Sequence, residues 1–240
     1  MSKTFVILTH VRSGSSMLSD MLARNALGAP EEHLNLRFLG EGGDWHPADV
    51  LAGARKETPG DYFGSKVMIH WLDVLKKHAG LPAATDARLL AELFGEDFTM
   101  IHLYREDTVA AAVSFTLAGL NQEWHRRTGE SAKQVVLPDW EVLNVMISDN
   151  VTWLDWCRHR LRMAASTSMR AVVEMRYEDL EREPAAELRR AVTAIMGEEA
   201  ASAHELTVGT KLVKQRNERS AELRGRWLAE HPGYGSYDLG

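Results

Sequence analysis

The chain is short of cysteine: Cys157 is its single thiol, so no internal disulfide forms and no thiolate cluster is available to hold a metal. Flanked by Trp156 and Arg158 in a helical pattern, it reads as a buried, inert thiol. Positive charge is in deficit too. The 28 Lys and Arg residues against 34 Asp and Glu give a net charge of −6, which excludes nucleic-acid binding by broad phosphate neutralisation. An anionic ligand has to be held locally. Long apolar runs are missing as well: the stretch Phe5-Val6-Ile7-Leu8 is too short for a signal-peptide core or a membrane span, and no later stretch is long enough either. The expectation is a cytoplasmic protein with no membrane span. There is no internal repeat and no low-complexity tract.

Three common site motifs are also absent. No G-x-x-x-x-G-K-[ST] is present, which disfavours a nucleotide triphosphatase or kinase-like phosphotransferase, and no G-x-G-x-x-G, which disfavours a dinucleotide enzyme. Ser15 has Ser13 and Met17 where a nucleophile elbow needs glycine, so a serine hydrolase is disfavoured.

What is present alternates between strand and helix. Apolar runs at 5–8, 67–69, 98–104 and 171–175 read as buried parallel strands. Helical patterns fall near 15–27, 84–94, 106–127, 139–165, 184–196 and 218–229. The length and the 45% hydrophobic content suit one domain over residues 1–240. The predicted fold is α/β, a P-loop-like three-layer arrangement with a central parallel sheet flanked by helices. In such sheets ligands bind beyond the carboxyl ends of the strands. Residues 40–64, rich in Gly, Asp and Pro, read as a loop or lid with about one helical turn.

The first strand runs into Arg12-Ser13-Gly14-Ser15-Ser16, and a helix follows. Backbone N–H groups at that helix start, Gly14 for close approach, the Arg12 fork and the hydroxyls of Ser15 and Ser16 together suit a phosphate or sulfate. The same residues also read as a serine-capped helix after a tight turn. The third strand ends in Tyr104-Arg105-Glu106-Asp107, and Ser114 lies nine residues after Arg105. The pair suits a second phosphate, or else Arg105 merely pairs with Asp107 or another acid.

Taken together these residues resemble the sulfotransferases, and within them the group typified by the bacterial trehalose 2-sulfotransferase. The resemblance is carried by Arg12 to Ser16, Gly28-x-Pro30-x-Glu32, Gly64-x-Lys66, Tyr104 to Asp107 with Ser114 and Trp124, Tyr177-Glu178-Asp179-Leu180, Lys214-Gln215 and Arg219-Ser220. It implies transfer of a sulfuryl group from 3′-phosphoadenosine-5′-phosphosulfate (PAPS) to a hydroxyl of a small carbohydrate or glycolipid acceptor. The product nucleotide is 3′-phosphoadenosine-5′-phosphate, and no metal is required. Arg12, Ser13, Gly14, Ser15 and Ser16 then hold the 5′-phosphosulfate, and Arg105 and Ser114 the 3′-phosphate. Residues 211–229, with Lys214 and Arg219, resemble the segment that closes over the nucleotide, and the resemblance admits a homodimer.

On the acceptor side the resemblance makes Glu32 the general base and Arg12 its counterpart at the leaving phosphate, with Glu31 as the neighbouring rival. His70 is a second candidate base, since it follows the second strand. The trehalose group resembles Asn-Gln where this chain has His70-Trp71, a departure that bears on the acceptor. Trp45, Trp71 and Trp124 suit either a sugar platform or core packing. Trp140, Trp153 and Trp156 read as structural, and Trp227 as the seal of a domain edge or subunit interface. A catalytically silent nucleotide sensor with the same anion loops is the competing reading from another class.

Overall fold

The computed structural model describes residues 3–40, 43–124, 128–130, 136–168, 172–212 and 218–237. Its elements follow in order: β1 (Lys3–Thr9), α1 (Ser15–Arg24), α2 (Leu36–Leu39), α3 (Pro47–Glu57), β2 (Tyr62–Met68), α4 (Leu72–His78), α5 (Asp86–Phe94), β3 (Thr99–Tyr104), α6 (Thr108–Asn121) and α7 (Trp140–Ser166). The chain continues through β4 (Val172–Arg176), α8 (Tyr177–Arg182), α9 (Pro184–Met196), α10 (Glu198–Ala203) and α11 (Glu218–Glu230). A short 3₁₀ turn, Ile69–Trp71, joins β2 to α4. Two compact units result, one from Met1–Glu106 with Cys157–Thr210, the other from Asp107–Trp156 with Lys211–Gly240.

The first unit holds a four-stranded sheet in the order β2-β1-β3-β4, with every pairing parallel. All four carboxyl ends therefore share one edge, where a ligand crevice is expected. Because side chains alternate along a strand, the residues of β1 serve two faces. Phe5 and Ile7 join one core with Leu18, Met21 and Leu22 of α1 and with Leu188, Val192 and Ile195 of α9. Val6 and Leu8 are equally buried and point the other way, and α5, with Leu89, Leu90, Leu93 and Phe94 buried, packs against β1. Gly64 in β2 exists for this packing, since a Cβ there would lie 2.3 Å from the Phe5 ring.

Residues 40–64 are more ordered than their composition suggests. Instead of about one helical turn they carry the eleven-residue α3 and the start of β2. The start signal is local: Pro47 sits in the first turn, and the ring of His46 accepts the Ala48 N–H at 3.3 Å. Little apolar periodicity advertises the helix, because only Pro47 and Leu51 are buried.

In the second unit α6 and α11 pack together, and Trp227 is buried there with its indole N–H donated to Ser148 Oγ at 3.0 Å. Asp107 caps α6 by accepting the Ala110 N–H and pairs with Arg224 at 2.8 Å. Among the described residues no helix is long and apolar enough to cross a membrane.

Candidate active site

At the carboxyl end of β1 the chain turns sharply into α1. Arg12 takes a left-handed φ of 60°, an unusual conformation for a residue with a side chain, and Gly14 a φ of 82°. Gly14 is the N-cap residue of α1 and supplies no capping side chain. The helix start is therefore left to be satisfied by something other than its own cap. A Cβ on Gly14 would lie 2.5 Å from Tyr177 Cδ2, so only glycine fits against that ring.

Tyr177 begins α8, directly after β4, and joins two parts of the site. One edge packs on Gly14, and the guanidinium of Arg105 stands 4.7 Å over its ring. Its hydroxyl donates to Glu181 at 2.8 Å, and burial, followed by that bond, pushes the phenol up to about 12. Arg105 itself is 8% exposed, its Nε has no hydrogen-bond partner, and among the described residues it makes no ion pair. The neighbouring acids are already engaged: Asp107 with Arg224, and Glu106 with Arg158 at 3.3 Å.

Arg12 and Arg105 lie close enough to act on each other. Burial, and after it the charge of Arg105, pulls the Arg12 guanidinium down to about 10. Two like charges at one sheet edge, Arg105 buried and Arg12 half-buried, favour an anionic ligand there. The turn is tied to β3 by Thr9, whose hydroxyl donates to the Leu103 carbonyl at 2.8 Å and is hydrogen-bonded to Ser13 Oγ. Ser13 thus spends its hydroxyl on the scaffold.

A second group sits beside the loop. The N–H of Lys66 donates to the carbonyl of Glu31 at 2.8 Å, an isolated bridge that pins the 31–32 segment along β2. Alternation then sends Glu31 outward, where it is exposed, and Glu32 inward. Glu32 Oε1 pairs with Lys66 Nζ at 3.0 Å, and Oε2 accepts from Asn35 Nδ2 at 2.7 Å. Lys66, only 6% exposed, also donates to Ser16 Oγ at 3.1 Å, so one ammonium links the loop to the carboxylate. His70, two residues past β2, is near enough for Glu32 to act on its charge. Burial dominates there and draws the imidazole down to about 4, so it is neutral near pH 7.

The first unit therefore gathers Arg12, Ser13, Gly14, Ser15, Ser16, Glu32, His70 and Arg105 at the carboxyl edge of its sheet. Ser114, on α6, and Arg219, on α11, belong to the second unit, and Lys214 lies outside the described residues. Of the tryptophans, Trp71 is buried, Trp45 stacks on His78 with ring centroids 4.0 Å apart, and Trp124 packs against Phe115. Two residues of the constellation carried no assigned role from sequence: Lys66 and Tyr177. For Lys66 the signal was a charge directly before the apolar run 67–69; for Tyr177, an aromatic just after a strand's carboxyl end.

No curated protein matches the sequence. A family model, described as Stf0 sulphotransferase, matches residues 4–230 and so takes in both anion motifs, Glu32 and all four strands. With nearly the whole length matched, the chain belongs to the Stf0 sulphotransferase family.

Proposed function

We propose that the protein transfers a sulfuryl group from PAPS to a hydroxyl of a small carbohydrate or glycolipid acceptor. The observation that carries this reading is the convergence of Arg12 and Arg105 at one sheet edge, with Glu32 linked to the anion loop through Lys66. PAPS supplies an activated sulfuryl group, together with the 5′ and 3′ phosphates that two separated cations suit. In this reading Arg12 and the start of α1 take the 5′ side and Arg105 takes the 3′-phosphate. Ser114, Lys214 and Arg219 enter as donor contacts through the family resemblance alone.

Glu32 is the proposed base. Lys66 and Asn35 each engage one of its oxygens, which fixes the carboxylate while leaving lone pairs for an incoming hydroxyl proton. As the acceptor oxygen bonds to sulfur, the bond from sulfur to the phosphate oxygen breaks, that oxygen keeps the electron pair, and Glu32 takes the acceptor proton. Arg12 and the loop amides stabilise the charge left on the phosphate. His70, neutral and weakly basic, orients the acceptor.

The test is transfer of radiolabelled sulfate from PAPS across a panel of hydroxyl acceptors, with the product identified by mass spectrometry. Wild type is expected to give sulfated product, and binding without product would make the chain a sensor. Glu32→Gln is expected to lower turnover about 10²–10⁴-fold with donor affinity nearly unchanged. An active Glu32→Gln beside an inactive His70→Gln that still binds donor would transfer the base assignment to His70.

A further inference from the structure

We infer that His10 is a positioning residue, a neutral strut that holds the backbone of Arg105 at a fixed distance from the backbone entering Arg12 and so preforms a two-arginine receptor. The identity of the ligand, a nucleotide phosphorylated at both 5′ and 3′ positions, rests on the donor reading above.

His10 ends β1's run into the turn and is 1% exposed. Its Nδ1–H donates to the Val11 carbonyl at 2.8 Å, while its Nε2 accepts the Arg105 N–H at 3.2 Å. The Val11 carbonyl belongs to the peptide that leads into Arg12, so the ring joins two peptides that each carry one of the arginines. An ordinary core histidine would satisfy its nitrogens on any neighbouring polar group. Here both bonds go to the backbone of the two anion motifs, which are 93 residues apart in sequence, as the positions of Arg12 and Arg105 give directly.

The arrangement needs such a restraint. Arg12 and Arg105 repel, and Arg12 also sits in a left-handed conformation that persists only when its surroundings hold it. An anion relieves the repulsion once bound, but a preformed site has to withstand it beforehand. The strut works only while uncharged, because Nε2 accepts a hydrogen bond only when it carries no proton. Burial first, and then the charges of Arg105 and Arg158, draw its pKa down to about 4, so the accepting form prevails at neutral pH.

The experiment is calorimetric titration of adenosine 3′,5′-bisphosphate and adenosine 5′-monophosphate into wild type, His10→Leu, His10→Gln, His10→Asn, Arg105→Ala and the double variant His10→Leu/Arg105→Ala, with thermal melts to establish folding. His10→Leu is expected to weaken bisphosphate binding about tenfold, the scale of a lost hydrogen bond, and monophosphate binding much less. His10→Gln, whose amide keeps a donor and an acceptor, is expected to restore most of that loss. His10→Leu is expected to cost nothing further once Arg105 is gone. Should His10→Leu fail to fold, His10→Asn carries the test, since it reaches the Val11 side and drops the bond from Arg105. Equal losses for both nucleotides, unchanged bisphosphate affinity, or losses that add to those of Arg105→Ala would overturn the inference. If Arg105→Ala loses the bisphosphate preference and the His10 variants keep it, the inference alone fails. A wild type that binds neither nucleotide, or an Arg105→Ala that keeps the preference, overturns the donor reading and the inference with it.

Discussion

Two arginine clusters in the first unit have opposite electrostatics. Arg160, on α7, forks onto two carboxylates: Nε and Nη2 each donate to Asp86 at 2.8 Å, and Nη1 and Nη2 each donate to Asp73 at 2.7 Å. Lys76 adds a 2.6 Å pair to Asp86. The Asp86 bonds, ahead of the opposing effect of burial, raise the Arg160 pKa. Arg105 has no ion pair among the described residues, and its neighbour Arg12 is depressed to about 10. A buried charge is costly unless paired. The Arg160 cluster meets that requirement within the chain and ties Arg160 to α4 and α5, whereas Arg105, with no ion pair among the described residues, leaves it for a ligand. Residue type alone does not separate a structural arginine from a binding one, but pairing does.

The hardest blow to this contrast falls on the paired side. Arg160→Met leaves Asp86 with only Lys76 and Asp73 without its fork, and is expected to destabilise the fold by about 2–3 kcal/mol in urea titration, with donor affinity of the folded fraction unchanged. A loss of donor affinity with stability intact would reverse the roles of the two clusters.

Acid separates the clusters next. His10 has a folded pKa of about 4 against an ordinary 6.5, so the unfolded chain binds its proton first as pH falls. The stabilisation is complete above about pH 6.5 and drains away towards pH 4, at most roughly 3 kcal/mol from this residue. His70 shifts in the same direction and works in the same window. The Arg160 cluster holds through that range. The hydrogen bond from Arg160 keeps Asp73 below its usual value, and for Asp86, where burial pushes upward, the bonds from Arg160 and Lys76 prevail. Urea midpoints at pH 7 and pH 5 check this: wild type is expected to lose stability on acidification, and His10→Gln to lose less.

The smallest expected effect on stability belongs to Arg105. Arg105→Ala is expected to leave stability within about 0.5 kcal/mol or raise it, since it removes a buried charge repelled by Arg12, while donor affinity drops by about 1–3 kcal/mol. The drop is expected to be much smaller for an analogue without the 3′-phosphate. A destabilised Arg105→Ala that keeps its donor affinity would make Arg105 a scaffold residue after all.

These two clusters also mark where sequence reasoning reached and where it stopped. The turn from Arg12 to Ser16 and the strand end at Arg105 were legible because their signals are local: an apolar run, a small polar turn, a helix start. The helix α3 was not, since Pro47 and Leu51 are its only buried positions and Gly64 masks the strand that follows. The fork of Arg160 onto Asp73 and Asp86 spans 87 and 74 residues, and no spacing rule connects such positions. His10 illustrates the limit most clearly. A lone histidine after a strand reads as core, and only the register of β1 beside β3 brings its ring to the Arg105 amide.

The single bridge between Glu31 and Ser65 has a consequence for error tolerance. It selects the inward carboxylate by parity: the residue after the bridged one faces Lys66. If the segment slipped so that Pro30 occupied the bridge, the inward residue would be Glu31, and a carboxylate would still meet the lysine. A slip the other way would present His33 instead, a ring in place of an anion. Consecutive glutamates thus insure the site against misregistration in one direction and leave it exposed in the other.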